Sequence, residues 1–228
     1  MNTLEEEKSV LRWGGLAGIL GAIFFILTIV TLIGFVGPDP ADPEGLVMRF
    51  PDVRAATTVG NSLYLVFLIL FVTLFLALYR ALRGTSPAAA LFGSVLGLVG
   101  LVVLAAGALP NVAFVSISDL YHAPGASPEE QATLVLMWQA IQGVFNELDT
   151  VGFHLLPIGF IVLGVAMLGA PAFGKGFGGA SVVIGVVGVV GISIVAVDSP
   201  SIFPFVILAF IIFPLLFGWK VYSLSRSP

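Results

Sequence analysis

The chain has 228 residues, 58% of them hydrophobic and 10% charged, with a mean hydropathy of +1.11. Soluble domains carry about 25% charged residues, so the composition excludes an ordinary soluble domain and points to a polytopic membrane protein. The lack of cysteine excludes disulfides, thiolate metal sites and cysteine nucleophiles, and a net charge of −4 leaves no nucleic-acid footprint.

Apolar runs predict six spanning helices, roughly 12–36, 57–82, 87–115, 149–169, 177–198 and 201–222. The expected fold is all-α, a polytopic membrane helix bundle forming a single integral membrane domain over 1–228, with short amphipathic helices on its outer face. The first run is too long for a cleaved signal peptide, and Glu5, Glu6 and Glu7 precede it. It carries Gly14, Gly18 and Gly21 on one face. Gly93, Gly97 and Gly100 repeat that spacing in the third span, and Gly185, Gly188 and Gly191 in the fifth. Lipid offers no hydrophobic drive for helix association, so such small-residue seams are expected to let helices cross closely.

Between spans, Asp42-Pro43-Glu44, Ser86-Pro87, Ser127-Pro128 and Ser199-Pro200 each pair an N-cap residue with proline at the first helical position. Glu130 completes a capping box after Ser127. Residues 128–148 read as an amphipathic helix at the outer interface, with Trp138 at headgroup level; the rival reading is a seventh span running into 149–169. Pro157, Pro204 and Pro214 fall inside predicted spans and are expected to kink them. Thr58-Val59-Gly60 recurs as Thr150-Val151-Gly152, each opening a span, which suggests two parallel repeats.

The basic residues orient the chain. Lys8, Arg12, Arg80, Arg83, Lys175, Lys220 and Arg226 fall on one side, and only Arg49 and Arg54 on the other. The positive-inside rule then places both termini in the cytoplasm, with the protein in the cell membrane.

Ionisable residues are nearly absent from the predicted midplane, which argues against a pump, a proton relay or a voltage sensor. Two histidines, His122 and His154, cannot build a three-histidine zinc site. Ser181 lacks the Gly-x-Ser-Gly setting of rhomboid proteases, and no histidine lies downstream of it. The remaining chemistry collects at the predicted outer ends. Glu147, Asp149 and His154 are the candidate catalytic set, as acid, base or metal ligands, with Asp149 and His154 the candidate metal pair. Asn61, Gln142, Asn146, Asp119 and His122 are candidate ligand-binding residues around them. Acidic residues near a helix start are also explained by the macrodipole alone, and a lone histidine near an interface by a structural hydrogen bond.

Three functions fit these residues. The first is a non-enzymatic protein binding a lipid, another apolar ligand or a partner's spans. The second is an outer-leaflet enzyme acting on lipid-borne substrates through Glu147, Asp149 and His154. The third is a small-solute carrier built from parallel repeats. No cofactor is expected, and the expected partners are membrane lipids, another membrane protein or a second copy of the chain, not nucleic acid.

Two stretches carry a resemblance. Leu78-Tyr79-Arg80-Ala81-Leu82-Arg83, followed by Ser86-Pro87 and Ala90-Leu91-Phe92-Gly93, is one; Gly152-Phe153-His154, running into Gly159-Phe160 and Leu163-Gly164, is the other. Over roughly residues 10–222 the chain resembles a large prokaryotic family of multi-pass membrane proteins catalogued as a domain of unknown function. The second inner turn departs from the expected pattern, with Ala172-Phe173-Gly174-Lys175 in place of an aromatic or proline-basic pair. The resemblance implies a six-span bundle and supplies no catalytic residues.

Overall fold

Capping and apolar length together determine the elements. In a computed structural model that describes residues 3–40, 42–195 and 203–226, seven α-helices follow one another. They are α1 (Thr3–Thr31), α2 (Pro43–Leu82), α3 (Pro87–Ala108), α4 (Asn111–Tyr121), α5 (Pro128–Leu168), α6 (Gly174–Val195) and α7 (Phe203–Ser225). All but α4 are long and apolar enough to cross a membrane. The protein is an all-α, multi-pass membrane protein, with its described termini at one end of the bundle; the opposite end is called the far end below.

Asp42 caps α2 by accepting from the Gly45 N–H at 2.7 Å, and Ser127 with Glu130 forms the full capping box on α5. Ser86 makes no side-chain cap bond, and Ser199-Pro200 lies outside the described residues. Pro204 is the second residue of α7, where its missing N–H leaves no intrahelical bond unmade. Pro157 and Pro214 are helical interior residues.

The far end differs from the sequence reading. Residues 128–148 are neither a separate interfacial helix nor a seventh span. They continue into 149–168 as one 41-residue helix, and α2 likewise begins at Pro43 rather than near 57 and runs for 40 residues. At 1.5 Å per residue each is about 60 Å long, twice a hydrocarbon core of about 30 Å. The third predicted span stops at Ala108, and α4 follows after a turn at Leu109-Pro110. The projecting halves of α2 and α5 close on α4, burying Val47, Phe50, Phe114, Ile117, Tyr121 and Trp138 in a core of their own. Trp138 is 4% exposed, stacked on Phe114 at 4.2 Å and edge-on to Phe50 at 5.2 Å, so it packs within this cap instead of anchoring at headgroups. Tyr121 Oη donates to Glu44 and Arg54 pairs with Asp119 at 2.8 Å, both joining α2 to α4.

Two long helices each pack on the preceding span: α2 on α1, and α5 on α3. Backbone contact sets the spacing. A Cβ on Gly159 would lie 2.8 Å from Gly97 N and 2.9 Å from Gly93 O, and one on Gly100 would lie 2.9 Å from Leu156 N. Gly15 and Gly18 admit α7 to α1, and Gly185 admits Pro157 and Ile161 of α5 to α6. The centre is aromatic. Phe67, Phe71 and Phe75 descend α2 one turn apart and meet Phe160, Phe210, Phe213 and Phe217, with Phe160 stacked on Phe213 at 3.6 Å. At the terminal end Glu7 of α1 pairs with Arg80 and Arg83 of α2.

Candidate functional site

The α1 helix ends in a π-helical turn over Leu32–Val36, closed by Gly37, whose φ of 68° is readily reached only by glycine. Such turns place one extra residue in the helix and are frequent at functional sites. The first residue of this turn, Leu32, lines a cavity of about 220 Å³ at the far end of the spanning region. Phe25, Thr28 and Ile29 of α1 line it with Leu32; Asn61 and Tyr64 come from α2, Ala108 and Asn111 from α3 and α4. Phe145, Asp149 and Phe153, spaced four apart on one face of α5, face them, and Ile192, Ile207 and Phe210 close the remaining wall. Phe25 and Phe210 also belong to the central aromatic core, so the core forms the cavity floor.

The polar groups here are unevenly satisfied. Thr28 donates to Phe24 O at 3.0 Å and Asn111 donates to Ala108 O at 3.1 Å. Tyr64 Oη and Asp149 Oδ1 are buried with no hydrogen-bond partner. Burying such groups unpaired is costly, so they call for an account. Asp149 sits where α5 crosses α3 at Gly107; a Cβ there would lie 3.0 Å from Oδ1, so the missing side chain on α3 makes the room for the carboxylate. Among the described residues no lysine, arginine or histidine lines the cavity.

A second cavity of about 120 Å³ lies against the cap, lined among others by Asp39, Arg49, Thr57, Trp138 and Gln142. Leu32 and Asn111 line both cavities and so separate them. Trp138 Nε1 is buried without a partner beside this second space.

The structure redistributes the candidate residues. Asn61 and Asp149 do share one cavity. Glu147, Asp149 and His154 do not converge. Glu147 is exposed, and His154 turns to α6, with Nδ1 2.7 Å from Thr150 O and Nε2 3.1 Å from Ser193 Oγ. A carbonyl only accepts, so Nδ1 carries a proton; Nε2 lies against Ser193 Oγ, whose own hydroxyl donates to Val189 O at 2.9 Å. Nδ1 is thus held within α5 and Nε2 reaches α6, so both nitrogens of His154 are engaged. Asp119 is held by Arg54, and His122 Nδ1 lies 2.8 Å from Ser118 O, so neither reaches the α5 residues. Gln142 donates to Asn146 Oδ1 at 3.0 Å. Among the described residues no three His, Asp or Glu side chains group as metal ligands. Tyr64 and Asn111 carry no motif; the one sequence signal for Tyr64 is its i+3 spacing from Asn61.

Residues 19–222 match the family model described as a domain of unknown function (DUF4386). The chain belongs to this family. Searches for similar curated proteins and for similar solved structures each gave no match. The match covers both resembling stretches and the fourteen described cavity-lining residues. Membership supplies no activity, so the function rests on the site itself.

Proposed function

We propose that this integral membrane protein binds a small, mainly apolar molecule in the cavity between its spans, without transforming it. The observation that carries this reading is the pair of buried, unpartnered polar atoms, Tyr64 Oη and Asp149 Oδ1, in a wall otherwise dominated by aromatic and aliphatic side chains. A pocket with a few convergent polar groups is the usual form of a small-molecule site. The volume supports a ligand somewhat larger than benzene, which fills engineered cavities of about 150 Å³. The separation of Glu147 and His154 from Asp149 favours binding over an acid–base reaction at this place. Binding here requires no cofactor.

The far end is read as lying outside the cytoplasm, supported by seven of the nine basic residues falling at the terminal end. A reporter fused to the C-terminus that is active only in the cytoplasm should be active.

The test of binding is thermal stability in lipid nanodiscs across a series of neutral alkylbenzenes. A bound ligand at one hundred times its Kd stabilises by about 2.7 kcal/mol. Wild type should be stabilised in a concentration-dependent way. Ala108→Phe, which fills the cavity, should unfold as a folded protein and show no stabilisation. Equal responses from the two proteins, or none from wild type, refute the reading.

A further inference from the structure

We infer that the ligand of this cavity carries an organic cation, held by the Asp149 carboxylate within a ring of aromatic faces. The inference deepens the binding reading and rests on it. Three observations lead to it.

The first is charge. Among the described residues, Asp149 is the only formally charged one lining the cavity; its Oδ1 is buried and unpartnered, and the described lining provides no countercharge. A buried carboxylate is stable when paired, so the missing partner is a positive or strongly donating group supplied from outside the chain.

The second is the surroundings of that carboxylate. Five of the fourteen described lining residues are aromatic: Phe25, Tyr64, Phe145, Phe153 and Phe210. Phe145 and Phe153 lie one turn to either side of Asp149 on α5, so ring, carboxylate and ring follow along one helical face. Aromatic faces are electron-rich and attract cations within about 6 Å, most strongly where water is excluded. Walls of this kind stabilise a diffuse charge wrapped in methyl or methylene groups.

The third separates this cation from a metal ion. Calcium takes about six to eight oxygen ligands and magnesium a near-octahedral set. Among the described residues the cavity offers one carboxylate, and no trio of metal-ligating side chains occurs. An anionic ligand would face Asp149 with no compensating charge. A substituted ammonium matches both the single carboxylate and the rings.

The experiment compares two probes of one shape, benzyltrimethylammonium and its uncharged carbon isostere neopentylbenzene. Binding to the protein in nanodiscs is measured calorimetrically, with empty nanodiscs subtracted. Wild type should bind the cation at least about tenfold more tightly than the isostere. Asp149→Asn, which keeps the shape of the side chain, should reduce that preference to less than about threefold. Gly143→Ala, on α5 but facing open space and outside the cavity lining, should retain the preference, which shows that a substituted α5 still folds and binds. If wild type binds both probes equally, or if the preference persists in Asp149→Asn, the cation inference is wrong while the cavity reading stands. If neither probe binds wild type, both fall.

Discussion

Replacing one glycine where helices touch and another where they do not should separate packing from helix propensity. Gly159 and Gly143 both lie inside α5, the first against α3 and the second in open space. A Cβ on Gly159 would stand 2.8 Å from Gly97 N, 2.9 Å from Gly93 O and 3.1 Å from Gly97 Cα. Unstrained contacts between carbon atoms lie at about 3.5–4.0 Å, so the shortfall is about 0.5–1 Å. All three obstructing atoms are backbone, so no side chain can turn aside and α3 must move off α5. A gap of that size forfeits about a quarter to a half of each contact's dispersion along the seam. Overpacking of this kind costs about 1–3 kcal/mol. Both substitutions to alanine share the propensity gain of up to about 1 kcal/mol, so their difference isolates the packing. Gly159→Ala should be less stable than Gly143→Ala by about 1–3 kcal/mol, and Gly143→Ala should be at least as stable as wild type. Reversible unfolding in mixed detergent micelles reads this difference. Equal stability of the two variants would refute the backbone-limited seam.

Trp138→Ala removes the centre of the far-end core and should cost about 3–5 kcal/mol of cap stability, seen as faster hydrogen exchange in α4 while the spans stay protected. Arg54 and Asp119 are 45% and 60% exposed, so Asp119→Ala should change unfolding by less than about 1 kcal/mol, a difference that shrinks in high salt. His154 and Ser193 bridge α5 and α6, and a double-mutant cycle with His154→Phe and Ser193→Ala should give a coupling of about 0.6 kcal/mol, up to about 1.7. A coupling of zero would mean that the bridge does not form in the membrane.

Apolar run length and turn chemistry, both local properties, made the six spans and most helix starts legible, since Asp42 and Ser127 act as caps whatever the rest of the chain does. Family membership was legible for the same reason, in short motifs at the two inner turns and along the spans. The candidate site was half legible. Asn61 and Asp149 stood out as polar residues in apolar segments, yet nothing local shows that α2 and α5 bring them to one cavity. Local spacing grouped His154 with Glu147, two turns away on one helical face, and the close crossing of α5 with α6 gave it Ser193 instead. The amphipathic stripe of 128–148 is the same whether it covers a lipid surface or a protein neighbour. Only the cap formed by α2 and α4, far away in sequence, made it the second half of a 41-residue helix with Trp138 inside. Periodicity records that a face is buried; the partner that buries it, and the cavity left where partners fail to meet, are decided by tertiary packing.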